Sequence, residues 1–334
     1  MSYLNPSTTT NLSAWIPEIW AMRVYQETLT KMWWERFTGP EGSGMPVVRK
    51  TELLTQPGDT IHITRLADLI GAGVSGEATL KGNEEKLSIA TVDLIPEWLR
   101  HGTSITGKAT KQSMQDFRKK AMMSLSRWLA KKMDADKWAA ASVTTAAGFD
   151  NTAVKTIYAG SATSVNAIAE TDDFSVSEIR KAAALQRADN ISGISMPDLP
   201  GQEYYLCFIH PFQALSLQQD SEWINAQQNA GIRGKDNPMF TGALGEVAGV
   251  VLYETTNCLI TPNANSPVVD TARAIMMGAE AIAHAENLTL EWKEEMEDYE
   301  FEQGIAIMSA YQTKILAGKA LKHIVTAAVA PNTP

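Results

Sequence analysis

The stretch SMQDFRKKAMMSLSRWLAKKMDADKWAAA, residues 113–141 of 334, decides the fold. It holds no Gly or Pro and few β-branched residues, so nothing in it breaks a helix. Ser113 and Asp116 form an S-x-x-D capping box that marks its start. Met114, Phe117, Ala121, Leu125, Trp128, Ala135 and Ala139 follow at helical spacing, with a gap at Lys131 and Lys132. Met122, Leu129 and Met133 widen that stripe. At 1.5 Å per residue the spacing predicts a rod of roughly 43 Å, as long as a small domain is wide. Such a rod either crosses a large enzyme core or supports a thin, plate-like subunit.

Working outward from the helix, the chain reads as mixed α+β. Residues 1–13 are polar and rich in Pro, Thr and Asn, an arm rather than a core element. An aromatic helical pattern runs from Ala14 to Phe37 and ends at GPEGSGMP, residues 39–46. Val47–Leu54 and Thr60–Leu66 read as strands around a Pro57-Gly58-Asp59 turn. Residues 67–92 are Gly-rich and too long for an ordinary turn, and loops of that length are usually functional or reach to a partner. Leu87–Ile95 alternates like a strand and leads into the helix. Beyond it, Ser175-x-x-Glu178 opens a second capped helix to about Ala188, and EYYLCFIH (203–210) reads as a buried strand with a helix starting at Pro211. Val247–Thr255, Ala272–Gly278 and Ile305–Ile315 read as further strands, Thr289–Gln303 as an acidic extended segment, and the remainder as a short apolar tail.

Composition narrows the class of function. Hydrophobic residues make up 44% and charged residues 20%, an ordinary globular balance. A net charge of −9 argues against a general nucleic-acid binder. Cys207 and Cys258 form no C-x-x-C pair and suit a reducing compartment. No basic-then-apolar leader opens the sequence and no apolar run approaches 18 residues, so neither a secretory signal nor a spanning helix is expected. The reading is of a soluble intracellular protein without membrane contact.

Two phosphate-binding patterns fail on context. Gly71, Gly73 and Gly76 satisfy G-x-G-x-x-G, but the EATLKGNEEKL that follows has no apolar stripe and contains Gly82, so no helix N-terminus is there to hold a pyrophosphate. Gly102–Lys108 matches G-x-x-x-x-G-K, yet Ala109 stands where a magnesium-binding hydroxyl belongs and the helix begins five residues past the lysine. His62, His101, His210, His284 and His323 are scattered, and neither H-E-x-x-H nor G-x-S-x-G occurs. His210 reads as a strand-end residue bonded to backbone. The acidic run Glu291, Glu294, Glu295, Glu297, Asp298, Glu300 and Glu302 lacks cation-loop spacing and reads as a solvated strand face. No enzyme, metal site or cofactor is expected.

Charge is instead separated along the chain. Lys108–Lys137 carries nine Lys/Arg against three Asp, a balance of +6. Glu280–Glu302 carries nine acids against Lys293, a balance of −8. Such segments complement one another within a subunit or between neighbours, or stand as independently solvated faces.

The block from His210 to Glu254, HPFQALSLQQDSEWINAQQNAGIRGKDNPMFTGALGEVAGVVLYE, resembles the major capsid proteins of tailed bacteriophages, in the branch of podoviruses with a giant virion RNA polymerase. The matching positions are His210-Pro211, Asp220, Trp223, Ala226-Gln227, Arg233-Gly234, Asn237-Pro238, Phe240-Thr241-Gly242, Leu244-Gly245 and Gly249-Val250-Val251. Leu69–Leu87 is similar to that family's loop, and Gly304-Ile305-Ala306 to its C-terminal strand; Gln312-Thr313-Lys314 departs from the glycine-containing turn expected there. The resemblance implies the HK-ninety-seven type capsid fold shared with encapsulins. On that map residues 1–13 are the N-terminal arm and 14–66 an N-terminal helix with peripheral strands. Residues 67–95 are the extended loop, 96–149 the spine-helix region of the peripheral domain, 150–270 the axial domain, and 271–334 the return to the peripheral domain.

The function so implied is self-assembly into pentamers and hexamers that form an icosahedral virion head around double-stranded DNA, built in the bacterial cytoplasm. The expected partners are further copies of the chain, a separate scaffolding protein, a portal protein and a decoration protein. Gly71, Gly73, Gly76, Lys81, Glu84 and Glu85 are the expected inter-subunit contacts. Arg118, Lys119, Arg127, Lys131 and Lys132 are expected to face DNA or a neighbour. The alternatives are an encapsulin-like compartment shell and a P-loop nucleotide hydrolase.

Overall fold

The computed structural model describes residues 32–66, 69–77, 79–112, 117–195, 203–229, 245–262, 269–299 and 301–328. In chain order the strands are β1 (Thr38–Gly39), β2 (Val47–Lys50), β3 (Ile61–Leu66), β4 (Ile89–Leu94), β5 (Glu97–Thr106), β6 (Lys155–Tyr158), β7 (Ile194–Ser195) and β8 (Glu203–Ile209). They continue as β9 (Glu246–Val247), β10 (Val250–Glu254), β11 (Ile260–Thr261), β12 (Thr271–Met277), β13 (Ile282–Glu297), β14 (Glu302–Ile315) and β15 (Leu321–Ala327). The helices are α1 (Gly107–Gln112), α2 (Phe117–Ala141), α3 (Val176–Ala188), α4 (Pro211–Gln219) and α5 (Ser221–Asn229). The class is α+β, as the sequence implies.

The strands sort into a five-stranded sheet of order β1-β2-β13-β14-β5, an eight-stranded sheet built on β6-β15-β12-β8-β10-β9, and a separate β3–β4 ribbon. The five-stranded sheet is dominated by the β13–β14 hairpin, whose ladder runs from Ile282↔Ile315 to Glu297↔Glu302. Along its lower strands the apolar side chains alternate, because only one face is covered. Leu125, Leu129 and Met133 of α2 pack there on Leu290, Trp292, Ile305, Ile307 and Tyr311.

The eight-stranded sheet is covered on both faces, so its central strands read as continuous apolar runs. Cys207, Ile209, Ala274, Met276 and Ile324 meet Ile179, Ala183, Ala214 and Leu217 of α3 and α4. The other face brings Leu206, Phe208 and Ile275 against Trp34, Phe37 and Trp138. The rings of Trp34 and Trp138 lie 4.8 Å apart and those of Trp34 and Phe208 5.2 Å apart. The end of α2 therefore joins the two sheets.

Several expectations change. The helix begins at Phe117 among the described residues, and Ser113, Met114 and Asp116, with the expected capping box, lie outside them. So do residues 1–31, including the arm and most of the Ala14–Phe37 pattern, whose end is a 3-10 turn at Trp34–Phe37. Ala135 and Ala139 are exposed, whereas Lys137 is buried: the covered face of α2 turns as it passes from one sheet to the other. Strand Val47–Leu54 stops at Lys50 and continues as a 3-10 turn. At α3 the Ser175 side chain makes no cap; Asp220 accepts from the Val176 N–H at 2.9 Å instead. The tail is a buried strand, β15, and β12 and β15 both join the eight-stranded sheet. The expected line at residue 270 thus does not coincide with the division between the sheets.

Candidate functional site

The G-x-x-x-x-G-K segment forms no loop. Strand β5 passes directly into helix α1 at Gly107, so a short helix opens at the lysine itself and not five residues past it as expected. Gly102 to Thr106 lie in β5, paired from Gly102↔Ala306 to Thr106↔Glu302, and an extended strand cannot wrap a phosphate. Gly107 approaches Phe301 closely, donating its N–H to that carbonyl. The G-x-G-x-x-G segment lies in an irregular stretch with no helix after it. The histidines serve separate local roles. His210 caps α4, its Nδ1 accepting from the Phe212 N–H while Gln213 accepts from the His210 N–H. His62 pairs with Asp93 at 2.6 Å, His101 stacks on Trp128 at 4.2 Å, and His323 bonds the Ala141 carbonyl at 2.8 Å. Burial pushes both thiols upward, so neither cysteine is a ready nucleophile. Among the described residues no three His, Cys, Asp or Glu side chains group to hold a metal. None of their helices is long and apolar enough to cross a membrane.

What the chain does present is an outstretched arm. β3 and β4 pair antiparallel from Ile61↔Leu94 to Leu66↔Ile89, and at the far end residues 69–77 and 79–88 run without ladder partners. Gly73, Gly76 and Gly82 have positive φ, where nothing crowds an added Cβ; Gly71 has ordinary φ. Glu85 accepts from the Ile70 and Gly71 N–H groups at 2.9 and 2.7 Å, tying the two sides together. Glu84 accepts from the Gly82 N–H at 2.7 Å. Lys81 is exposed. The composition reading missed the apolar side chains here: Ile70 is 91% exposed, and Leu69, Leu80, Leu87 and Ile89 are more than half exposed. Their signal was present as single apolar residues in a glycine-rich loop that no helical or strand period explains.

The expected basic face divides. Arg118 is half-buried and forks onto Glu294 of β13, its Nε at 2.7 Å from Oε1. Part of the charge complementarity is therefore spent inside the subunit. Lys132 pairs with Asp136 one turn on at 2.6 Å. Lys119, Arg127 and Lys131 are exposed along the helix.

Lys137 enters a buried joint. Asp134 accepts from the Trp33 and Trp34 N–H groups at 2.8 and 3.3 Å, holding the 3-10 turn on the helix. Arg49 of β2 reaches Glu35 at 2.5 Å and Glu286 at 3.3 Å, and His284 lies 3.4 Å from Glu286. Lys137 Nζ has no hydrogen-bond partner there, and burial lowers its pKa to about 8. Burial likewise pushes Asp134 up and His284 down.

A family model described as phage capsid protein matches residues 8–311. The chain belongs to the phage capsid protein family. A curated relative, the major capsid protein of Pseudomonas phage KPP25, is 25% identical over 328 residues, 86% of each chain. Among solved structures, this capsid protein resembles the capsid of Ralstonia phage GP4 with a TM-score of 0.71 and 25% identity, covering 91% of this chain and 93% of that one. It also resembles the cyanophage Pam1 capsid, with a TM-score of 0.77 and 17% identity over 89% and 92% of the two chains. This capsid protein is a structural component of the virion shell rather than an enzyme, and the family match favours the virion shell over an encapsulin-like compartment.

Proposed function

We propose that residues 67–95 lie across a neighbouring subunit and that this contact, repeated, builds the pentamers and hexamers of an icosahedral head around double-stranded DNA. One observation carries the reading. The β3–β4 arm holds Ile70, Leu80 and Leu87 in solvent, and its outer residues pair with no strand of their own subunit among the described residues. Exposed apolar groups gathered on one projection mark a partner surface. A heterologous contact of this kind closes into rings when repeated about an axis, and a shell needs rings of two sizes. Glycines at positive φ let one sequence bend into both.

On this reading the five-stranded sheet with α2 is the peripheral domain and the eight-stranded sheet the axial domain. Gly71, Gly73, Gly76, Lys81, Glu84 and Glu85 then sit in the contact. Exposed Arg127 and Lys131 face packaged DNA or a neighbour, and assembly enlists a separate scaffolding protein, a portal and a decoration protein. The narrower placement among podoviruses with a giant virion polymerase rests on the His210–Glu254 block, of which residues 230–244 lie outside the described residues. Deleting Leu69–Ser88 tests the proposal. It leaves a folded subunit by circular dichroism and abolishes shells; normal particles in the electron microscope would sink it.

A further inference from the structure

The far end of the β13–β14 hairpin is built unlike the strands it joins. Its turn, closed by the Phe301 N–H on the Asp298 carbonyl at 3.0 Å, holds Asp298 and Tyr299 at φ 49° and 53°. Gly or Asn take that left-handed conformation cheaply, whereas a bulky side chain is strained in it. The hairpin needs a left-handed turn, but the tyrosine side chain itself adds no contact within the subunit that would offset the strain, since Tyr299 is 103% exposed. Met296 and Phe301 beside it are 61% and 49% exposed, and the exposed carboxylates of Glu295 and Glu297 border them. Strain kept at a fully exposed aromatic points to a function in contact with something else, and tyrosine is a favoured anchor of protein interfaces.

The same chain carries a matching receptor. Between α2 and β5 lies a cleft of about 420 Å³, lined by His101, Thr103, Phe117, Lys120, Ser124 and Trp128. Its walls are aromatic and exposed Lys120 gives it positive charge, the complement of an aromatic turn fringed with carboxylates. The turn cannot reach the cleft of its own subunit. His101 and Thr103 pair with Ile307 and Ile305 of β14. The turn at Phe301 stands four residues beyond Ile305 and six beyond Ile307, about 13–20 Å along the strand.

We propose that Tyr299, with Met296 and Phe301, seats in the α2–β5 cleft of a second copy of this chain. The inference rests on the shell reading, since it needs copies to meet, but not on the 67–95 loop. The contact is heterologous, turn to cleft, so it too repeats around a ring.

Three variants assembled beside wild type test it, with shells measured by sedimentation and electron microscopy and subunit stability by thermal melting. Tyr299→Gly relieves the strain, so its melting temperature holds or rises while shell yield falls at least tenfold. Tyr299→Phe keeps the ring and assembles within twofold of wild type. Lys120→Cys combined with Glu297→Cys leaves Tyr299 in place and forms disulfide-linked multimers on oxidation, with native Cys207 and Cys258 both buried. Wild-type shells alongside undiminished Tyr299→Gly shells overturn the proposal alone, as do assembled double-cysteine shells that yield no linked copies. Failure of wild type to form shells even with its scaffolding protein supplied overturns the shell reading with it.

Discussion

The two sheets use their residues in opposite ways. In the eight-stranded sheet, β15 is buried along its whole length and β8 in every residue after Glu203, and even Lys322 and His323 are fully covered and paired, with Asp189 at 3.0 Å and the Ala141 carbonyl at 2.8 Å. In the five-stranded sheet the β2 end is buried, with Val48, Ala283 and Ala285 against Ile61, Ile63, Val92 and Leu94 of the β3–β4 ribbon. Toward the far end of the β13–β14 hairpin, however, α2 covers one face only, and exposed Trp98, Lys293, Glu295 and Glu297 remain on the sheet's strands. A sheet sealed on both sides throughout supplies subunit stability; one whose outer part is sealed on a single side leaves surface for neighbours. Substitutions in the first should move folding, and those on the open parts of the second should move assembly.

The largest expected effect tests the sealed sheet. Phe208 is fully buried among Trp33, Trp34, Trp138 and Tyr253. Phe208→Ala empties that space and costs about 3–5 kcal/mol in chemical denaturation. A loss below about 1 kcal/mol would mean that the aromatic cluster does not hold the sheets together.

Lys137 tests the joint between the sheets. Its folded-state pKa is lowered from 10.5 to about 8 by burial, so the charged form opposes folding. That penalty is fully present below pH 8 and fades as pH rises from about 8 to 10.5, where the folded chain sheds a proton that the unfolded chain keeps. Lys137→Met should stabilise the subunit by about 1–3 kcal/mol at pH 7 and flatten the alkaline rise in stability. Destabilisation at pH 7 would show that the ammonium is held favourably by Glu35, Asp134 and Glu286.

The smallest effect sits at the edge between folding and assembly. The forked Arg118–Glu294 pair is about one-fifth exposed on each side, so Arg118→Ala should cost only about 1 kcal/mol. A double-mutant cycle with Glu294→Ala isolates the coupling, and a coupling of zero would return both side chains to the neighbour-facing surface.

What the sequence made legible follows the same division. The body of α2 is plain from Ala121, Leu125, Leu129 and Met133, because helical spacing reports a single covered face. Where the helix passes between two sheets the face turns, so Ala135 and Ala139 fall outside and a lysine falls inside; no single period carries that. β15 went unread because LKHIVTA mixes Lys322 and His323 with its apolar residues, and only distant partners make them tolerable in a core. The sheet membership of β12 and β15 is likewise a long-range fact. In the candidate site, the glycines of residues 67–92 announced an unusual loop. They did not announce Glu85 bridging its base, or Tyr299 at a turn that local preference assigns to glycine.

Cryo-electron microscopy of the assembled particle tests the central claim most directly. Density for residues 69–88 should lie on the neighbouring subunit and bury Ile70 and Leu80 against it. Density in which that loop folds back on its own subunit, with Ile70 and Leu80 away from any neighbour, would contradict the account.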